Sequence, residues 1–377
     1  MTMPLPAPRG PASAALLDLL TTAPADADVT GLDRAVGDAL VATEDVLRDE
    51  DLQLTLLCLY ELHYGGLTGV DDAWEWSPAL LGVRARIEAV HEAALRDRVP
   101  VPEVPDDAGA GDVAETLFAL AAEDTGPGLS TFVARRATLE QVRELLAHRS
   151  LYHLKEADPH TWAIPRLQGR PKAALVEVQS DEYGGGDPER MHSALFARTM
   201  RALGLDDRPG AYLDHVPALT LASLNSMSLF GLHRRLRGAV AGHLAAFEMT
   251  SSVPNRLYGN GFRRLGFDED ATLYFDEHVE ADAVHEQIAG RDLAGALAAQ
   301  EPEVRDDVLF GAAACLALDT WVAQAQVGAW SAGRSSLLHP LPDLVPAALA
   351  LPDGRAVPDG TAVPAGAPVR VGAPVPA

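Results

Sequence analysis

Apolar positions recur three and four residues apart along most of the chain, with little strict alternation, and this pattern predicts helices rather than strands. From about Leu32 to Arg98 the reading is helical, and the run LDRAVGDALVATEDVLRDEDLQLTLLCLYELHY contains no proline. Pro100–Gly111 (PVPEVPDDAGAG) is a linker by composition. Helices resume over Val113–Ala122 and Thr131–Ala147, with Thr138 near an internal start. His153–Pro171 is broken by Pro159, Pro165 and Pro171 into a loop or a pair of short turns, and Lys172–Tyr183 reads as a helix or a strand. Gly184, Gly185 and Gly186 interrupt that segment. Asp187-Pro188-Glu189 then has the N-cap, first-turn proline and early acid of a helix start, predicting a helix to about Ala202 that Gly204 ends. Asn225–Thr250 is expected as one long helix, Ser251–Asn260 as a loop around Pro254 and Gly259, and Asp268–Ala289 as a helix capped by Gly290. Asp292–Ala332 supplies one or two more.

The expected fold class is therefore all-α. Residues 1–30, rich in proline, alanine and glycine, are expected as a partly mobile lead-in. Residues 31–335 form the helical domain, with the chemistry-bearing core at 140–290, and 336–377 a proline- and glycine-rich tail.

Composition narrows the function class. With 47% hydrophobic residues the chain can bury a large core, and its formal charge of −24 argues against nucleic acid as a partner. The two lysines, Lys155 and Lys172, offer no polybasic membrane anchor; Arg234, Arg235 and Arg237 read as a solvated helix face. Cys58 and Cys315 sit in apolar runs and read as small buried hydrophobes, with no disulfide framework. No uninterrupted apolar run has membrane-span length, and the start lacks a convincing secretory pattern, so a cytoplasmic protein is expected.

Candidate chemistry concentrates in FDEHVEADAVHEQIAG. His278, Asp282 and His285 are spaced i, i+4, i+7, so Asp282 lies about 40° and His285 about 20° from His278 around a helix axis. Two imidazoles flanking a carboxylate on one stripe suit iron, manganese or zinc. The competing reading is a solvated acidic helix, since Glu277, Glu280 and Glu286 are close by. In SDEYGGGDPERMHSALF, Glu189 and His192 have the Glu-x-x-His spacing that helical di-iron proteins project into their cores, although an acid in a first turn also favours the helix dipole. Glu182 precedes the glycine run, which can fold its backbone towards the same helix. Glu248 follows Ala245, Ala246 and Phe247, so its carboxylate lies on or near an apolar face where it needs a partner. Glu61 and His63 diverge around their helix, His153 and His160 lie in the proline-broken loop, and His243 points about 140° from Glu248 and reads as a surface or supporting residue. Together three helices offer a ligand count suited to two metal ions.

The run Asp181-Glu182-Tyr183-Gly184-x-Gly186, then His192, Glu248 and His278-x3-Asp282-x2-His285, resembles the haem-oxygenase-like di-iron oxidases, or iron-containing redox enzymes. The resemblance implies a haem-oxygenase-like helical bundle and metal ligands at Glu182, His192, Glu248, His278, Asp282 and His285, with Glu189 a further candidate. It implies two non-haem iron ions, O2 as co-substrate, an external electron donor and a small-molecule substrate oxidised by desaturation, N-oxygenation or C–C cleavage. A homodimer is compatible with it. Tyr183, beside a proposed ligand, is a candidate for orienting the site by hydrogen bonding, with a packed core tyrosine as the alternative. Two other readings stand beside this one: a metal-free helical protein that binds a small molecule or partner, and an enzyme of the same fold using manganese or mixed metals.

Overall fold

A computed structural model describes residues 2–123 and 128–341; the side chains of Asp26, Glu280, Asp282 and Ala283 lie outside the description. The described chain is all-α, and its one β-type pairing is an isolated bridge between Met3 and Leu67. In chain order the helices are α1 (Pro11–Leu20), α2 (Thr30–Ala42), α3 (Glu50–Glu61), α4 (Pro78–Arg98), α5 (Ala110–Ala122), α6 (Leu129–Arg135), α7 (Leu139–His153), α8 (Asp158–Thr161), α9 (Gly169–Glu182), α10 (His192–Ala202), α11 (Ala218–Leu232), α12 (Arg237–Arg264), α13 (Glu269–Gln287), α14 (Ala296–Gln300) and α15 (Arg305–Ser331).

Local signals explain many of these bounds. Thr138 caps α7 in a reciprocal box, its hydroxyl accepting from Gln141 N while the Gln141 side chain accepts from Thr138 N. The Asp268 carboxylate caps α13. The expected lead-in is part of the packed domain. Both oxygens of the Asp51 carboxylate accept from the first turn of α1, at Ala12 N (2.8 Å) and Ser13 N (2.7 Å), and Leu16 and Leu20 are buried. The beginning of the tail is also held, with Ser336 donating to Glu144; residues 342–377 lie outside the described residues.

Three expectations are corrected. The helix expected over Asn225–Thr250 is two, because the chain turns at His233 through a short 3-10 segment, Arg234–Leu236. The loop expected at Ser251–Asn260 is helical: Pro254 lies inside α12. Proline removes one backbone donor there, but the following turns bury Tyr258, Gly259 and Phe262, and this packing carries the helix through. Gly290 does not cap α13. The helix widens into a π-helix over Ile288–Gly295, and Gly290 packs against the Met249 methyl and the Phe118 ring.

α12 is the axis of the molecule, packing on α15, α13 and α6. Its first half (Ala239–Ala246) enters a core shared with α3, α11 and α15, and its second half (Tyr258, Phe262) a core shared with α6, α7, α10 and α13. Glu248 falls between the two. α15, with the short 3-10 turn before it, is long and apolar enough to cross a membrane by length and composition alone, yet it lies along α12 as a core helix. The contact is close because glycines remove side chains from it: a Cβ on Gly242 would run into the Val308 carbonyl, and one on Gly311 into that of Ala239.

Gly242→Ala should therefore lower stability by about 1–3 kcal/mol through overpacking. Gly82→Ala, on an exposed face of α4 with open space around it, should be neutral or stabilise by about 0.5–1 kcal/mol. Urea denaturation of both variants checks this, and equal effects would contradict the close-contact reading.

Candidate metal centre

Two groups of ligand-type atoms converge in the interior. One comprises Glu156, Glu182, His192 and His278, the other Glu182, Glu248 and His285; within each group one ligand atom per residue lies within 4.8 Å of the rest. All six residues are buried. Glu182 belongs to both groups.

Each side chain is delivered by an identifiable local feature. Glu182 ends α9 and His192 begins α10. Between them Gly184, Gly185 and Gly186 take φ of 67°, 62° and 90°, the left-handed region that glycine enters without strain. A Cβ on Gly184 would press on the backbone of Arg190 and Met191, so the turn is tight enough to bring His192 back to Glu182. The helix expected from Pro188 starts instead at His192. Residues 188–190 form a turn in which Glu189 N donates to the Asp187 carboxylate. Glu189 is exposed in that turn and stands outside both groups.

Glu156 and Tyr274 were not singled out from the sequence. Glu156 lies in the turn between α7 and α8, within the proline-broken stretch, where no helical spacing ties it to a partner. That turn is pinned from both sides. Lys155 pairs with Glu61, and the carbonyl of Ala157, at a left-handed φ of 76°, accepts from Gln179 Nε2 at 2.8 Å. A non-glycine residue held at positive φ costs on the order of 1–3 kcal/mol, and such strain clusters at functional sites. The Tyr274 hydroxyl donates to Glu156 Oε1 (2.8 Å). The Tyr274 carbonyl accepts from His278 Nδ1 (2.7 Å), which turns His278 Nε2 towards Glu156. The available signal was the position of Tyr274 one helical turn before His278.

Of the α13 stripe, His278 stands in the first group and His285 in the second. The side chain of Asp282 lies outside the described residues. His285 uses its two nitrogens differently. Nε2 donates to Asp181 Oδ2 (2.9 Å), leaving Nδ1 3.4 Å from Glu248 Oε2. Tyr183 is turned away from the cluster, its hydroxyl donating to Asp158 (2.7 Å) and meeting Thr161 (2.9 Å), so it ties α9 to α8. His243 is buried rather than superficial, 3.1 Å from His160, and His153 Nε2 lies 3.8 Å from Glu156.

The electrostatics are those of ligands facing one another. Burial works to raise the Glu182 carboxyl, but the His192 imidazole beside it, with His278 and His285 behind, holds it below the usual carboxylate range. Burial and the neighbouring His192 push His278 down to about 4, leaving it neutral, the form that coordinates a metal. For His285 burial is outweighed by Glu248, then Asp181 and Glu182, and it rises to about 9. The donor set fits a metal on a second count. Glu182 Oε2, His192 Nδ1 and His285 Nδ1 are buried without an aligned hydrogen-bond partner, although His192 Nδ1 is only 2.9 Å from Glu182 Oε2. Atoms this close but misaligned for each other suit a third body between them. A cavity of about 400 Å³ opens onto the cluster, with Glu156, Glu182, Glu248 and His278 on its wall and Leu151, Met227 and Phe247 among its apolar lining.

Comparison with known proteins supplies the class. Residues 143–320 match the family model described as iron-containing redox enzyme. A nitrosourea synthase from Streptomyces achromogenes subsp. streptozoticus is similar at 28% identity over 136 residues, which is 36% of this chain and 29% of that relative. The chain thus aligns with less than a third of the relative's length.

A histidine whose value is raised holds its proton, so the His285–Glu248 pair is fully formed below about 6.5 and is lost as pH rises through about 9. A metal ion must displace that proton. Mn(II) loading to saturation at pH 7.5 in weak buffer should release about one proton more per chain in the wild type than in His285→Gln, with the difference fading near pH 10. Equal release at pH 7.5, read with an indicator dye, would contradict this assignment.

Proposed function

We propose that the chain is a non-haem di-iron oxidase or oxygenase that uses O2 and an external reductant to oxidise a small molecule held in the cavity beside the cluster. The observation that carries the reading is the sharing of Glu182 by two buried ligand groups. On this reading Glu156, His192 and His278 would hold one ion, Glu248 and His285 the other, and Glu182 would serve both, with Asp282 a further candidate from its spacing in the sequence alone. Bound there, the iron pair supplies reductive activation of O2.

The protein's own groups do the rest. Tyr274 orients Glu156 and His278, and Asp181 orients His285. The Ala157 and GGG turns fix where Glu156 and Glu182 stand. The apolar lining removes water from the space in which a substrate meets the cluster. Desaturation, N-oxygenation and C–C cleavage are the candidate outcomes, and the name of the nitrosourea synthase relative makes nitrogen the first atom to test. Imidazole and carboxylate donors also suit manganese, so metal competition belongs in the test.

Protein loaded anaerobically with Fe(II) should hold about two irons per chain. It should then consume O2 when given a reductant. Glu182→Ala should lose both ions, while Glu248→Ala should weaken only one. His278→Ala should abolish iron-dependent O2 consumption with helicity retained by circular dichroism. Trace iron in the wild type, or undiminished consumption by His278→Ala, would refute the proposal.

A further inference from the structure

We propose that the cavity takes a small molecule bearing a neutral carboxamide, which Asn255 and Gln326 hold by paired hydrogen bonds. This deepens the function proposed above and rests on it only for what is then oxidised; the amide site itself stands on the cavity wall.

Five carboxamide side chains are buried among the described residues: Gln53, Gln179, Asn225, Asn255 and Gln326. Three of them are tied into the protein. Gln53 Nε2 donates to the Val46 carbonyl (2.8 Å), Asn225 Nδ2 to Gln53 Oε1 (2.8 Å), and Gln179 Nε2 to the Ala157 carbonyl (2.8 Å) and to Thr161 Oγ1 (2.6 Å). Asn255 and Gln326 differ from these. They are 5% and 3% exposed, neither side chain forms a hydrogen bond among the described residues, and Gln326 Oε1 is an enclosed acceptor with no donor. Both residues line the cavity. Folding strips water from such amides, and native interiors seldom leave them unpaired because the desolvation is then uncompensated. Two of them facing one chamber call for hydrogen-bonding groups on the molecule that fills it.

Helix packing brings the two amides to one place. Gly238 of α12 packs on Val304 and Asp307, and Gly242 on Val308 and Ala312, so α12 and α15 run side by side in the same direction. Continued at the same rise per residue, that register brings Asn255 level with the turn of α15 that carries Gln326. Each side chain offers one acceptor oxygen and two N–H donors. A ligand carboxamide matches the pair in both senses: its carbonyl accepts from one side-chain amide, and its N–H donates to the oxygen of the other. The match holds whichever way round each side-chain amide lies. A ketone or a carboxylate meets only the donors and leaves the buried oxygen unpaired, and an apolar chain meets neither.

The test is calorimetric binding to the full chain, with Fe(II) under anaerobic conditions and again without metal. The probes are straight-chain primary alkanamides of about four to about ten carbons, lengths that fit a cavity of this class, each paired with the methyl ketone in which CH3 replaces NH2. In both states the best-fitting alkanamide should bind more tightly than its ketone, although water holds the amide more strongly. The ratio of the two affinities should fall about fivefold or more in Gln326→Met and in Asn255→Leu, which remove the amide and keep its bulk. Fe(II) loading should be unchanged in both variants, since neither residue belongs to the ligand groups. Either variant carries the test if the other does not fold, and the wild-type comparison carries it if neither does. No binding of any alkanamide, tighter binding of the ketone by the wild type, or a wild-type ratio in either folded variant would overturn the proposal. A wild type that loads no iron yet keeps the amide preference would instead sink the oxidase reading and leave the amide site standing.

Discussion

A carboxylate taken out of water must find positive charge or hydrogen-bond donors, and Glu182 is buried where two groups of ligands meet. Its ionisation is sustained by His192, His278 and His285, which reach it from two different helices. Those imidazoles in turn depend on other acceptors: the Tyr274 carbonyl for His278 and the Asp181 carboxylate for His285. Most of what is specific in this fold serves to hold that mutual dependence in place. Without it the interior would contain several desolvated charges and no reason to fold around them.

The supporting scaffold relies on close approach and tolerated strain. Glycines at the α12–α15 contact let two long helices touch backbone to backbone, which fixes α12 and with it Glu248. The left-handed turns at Gly184–Gly186 and Ala157 place two carboxylates at element ends rather than in helix interiors. At Ala157 the strain is held by a hydrogen bond from Gln179, while its neighbour Lys155 is tied to Glu61. The π-helix after His285 has a similar rationale, since Gly290 and Gly295 let it close on Met249, Phe118 and Ala110. Rigid surroundings of this kind keep ligands converging before any metal arrives.

How much of this was legible depended on whether the information was local. The α13 stripe could be read because helical periodicity alone fixes the relative directions of His278 and His285. The capped start at Thr138 was legible for the same reason. Glu182 and His192 could be paired only through a family resemblance, because the link between them is a chain reversal that spacing does not encode. Glu156 was opaque: in HLKEADPH it looks like an ordinary loop acid, and its burial depends on Tyr274, more than a hundred residues away. Pro254 misled in the opposite direction, since local propensity argued for a break that tertiary packing overrode. The acidic Glu189 had the right spacing to His192 for a helix that does not begin until three residues later.

That same stretch of α12 runs from the cluster along the wall of the cavity. Glu248 faces the cluster, Pro254 and Asn255 line the cavity, and Tyr258 stacks with Arg149, so one continuous helix carries both ends of the chamber. Had the chain broken into a loop at Pro254, the spacing between Glu248 and Tyr258 would vary with loop motion. A helix holds it at a fixed rise per residue. The proline therefore sits where continuity matters most, and the buried residues that follow it keep the two ends in register.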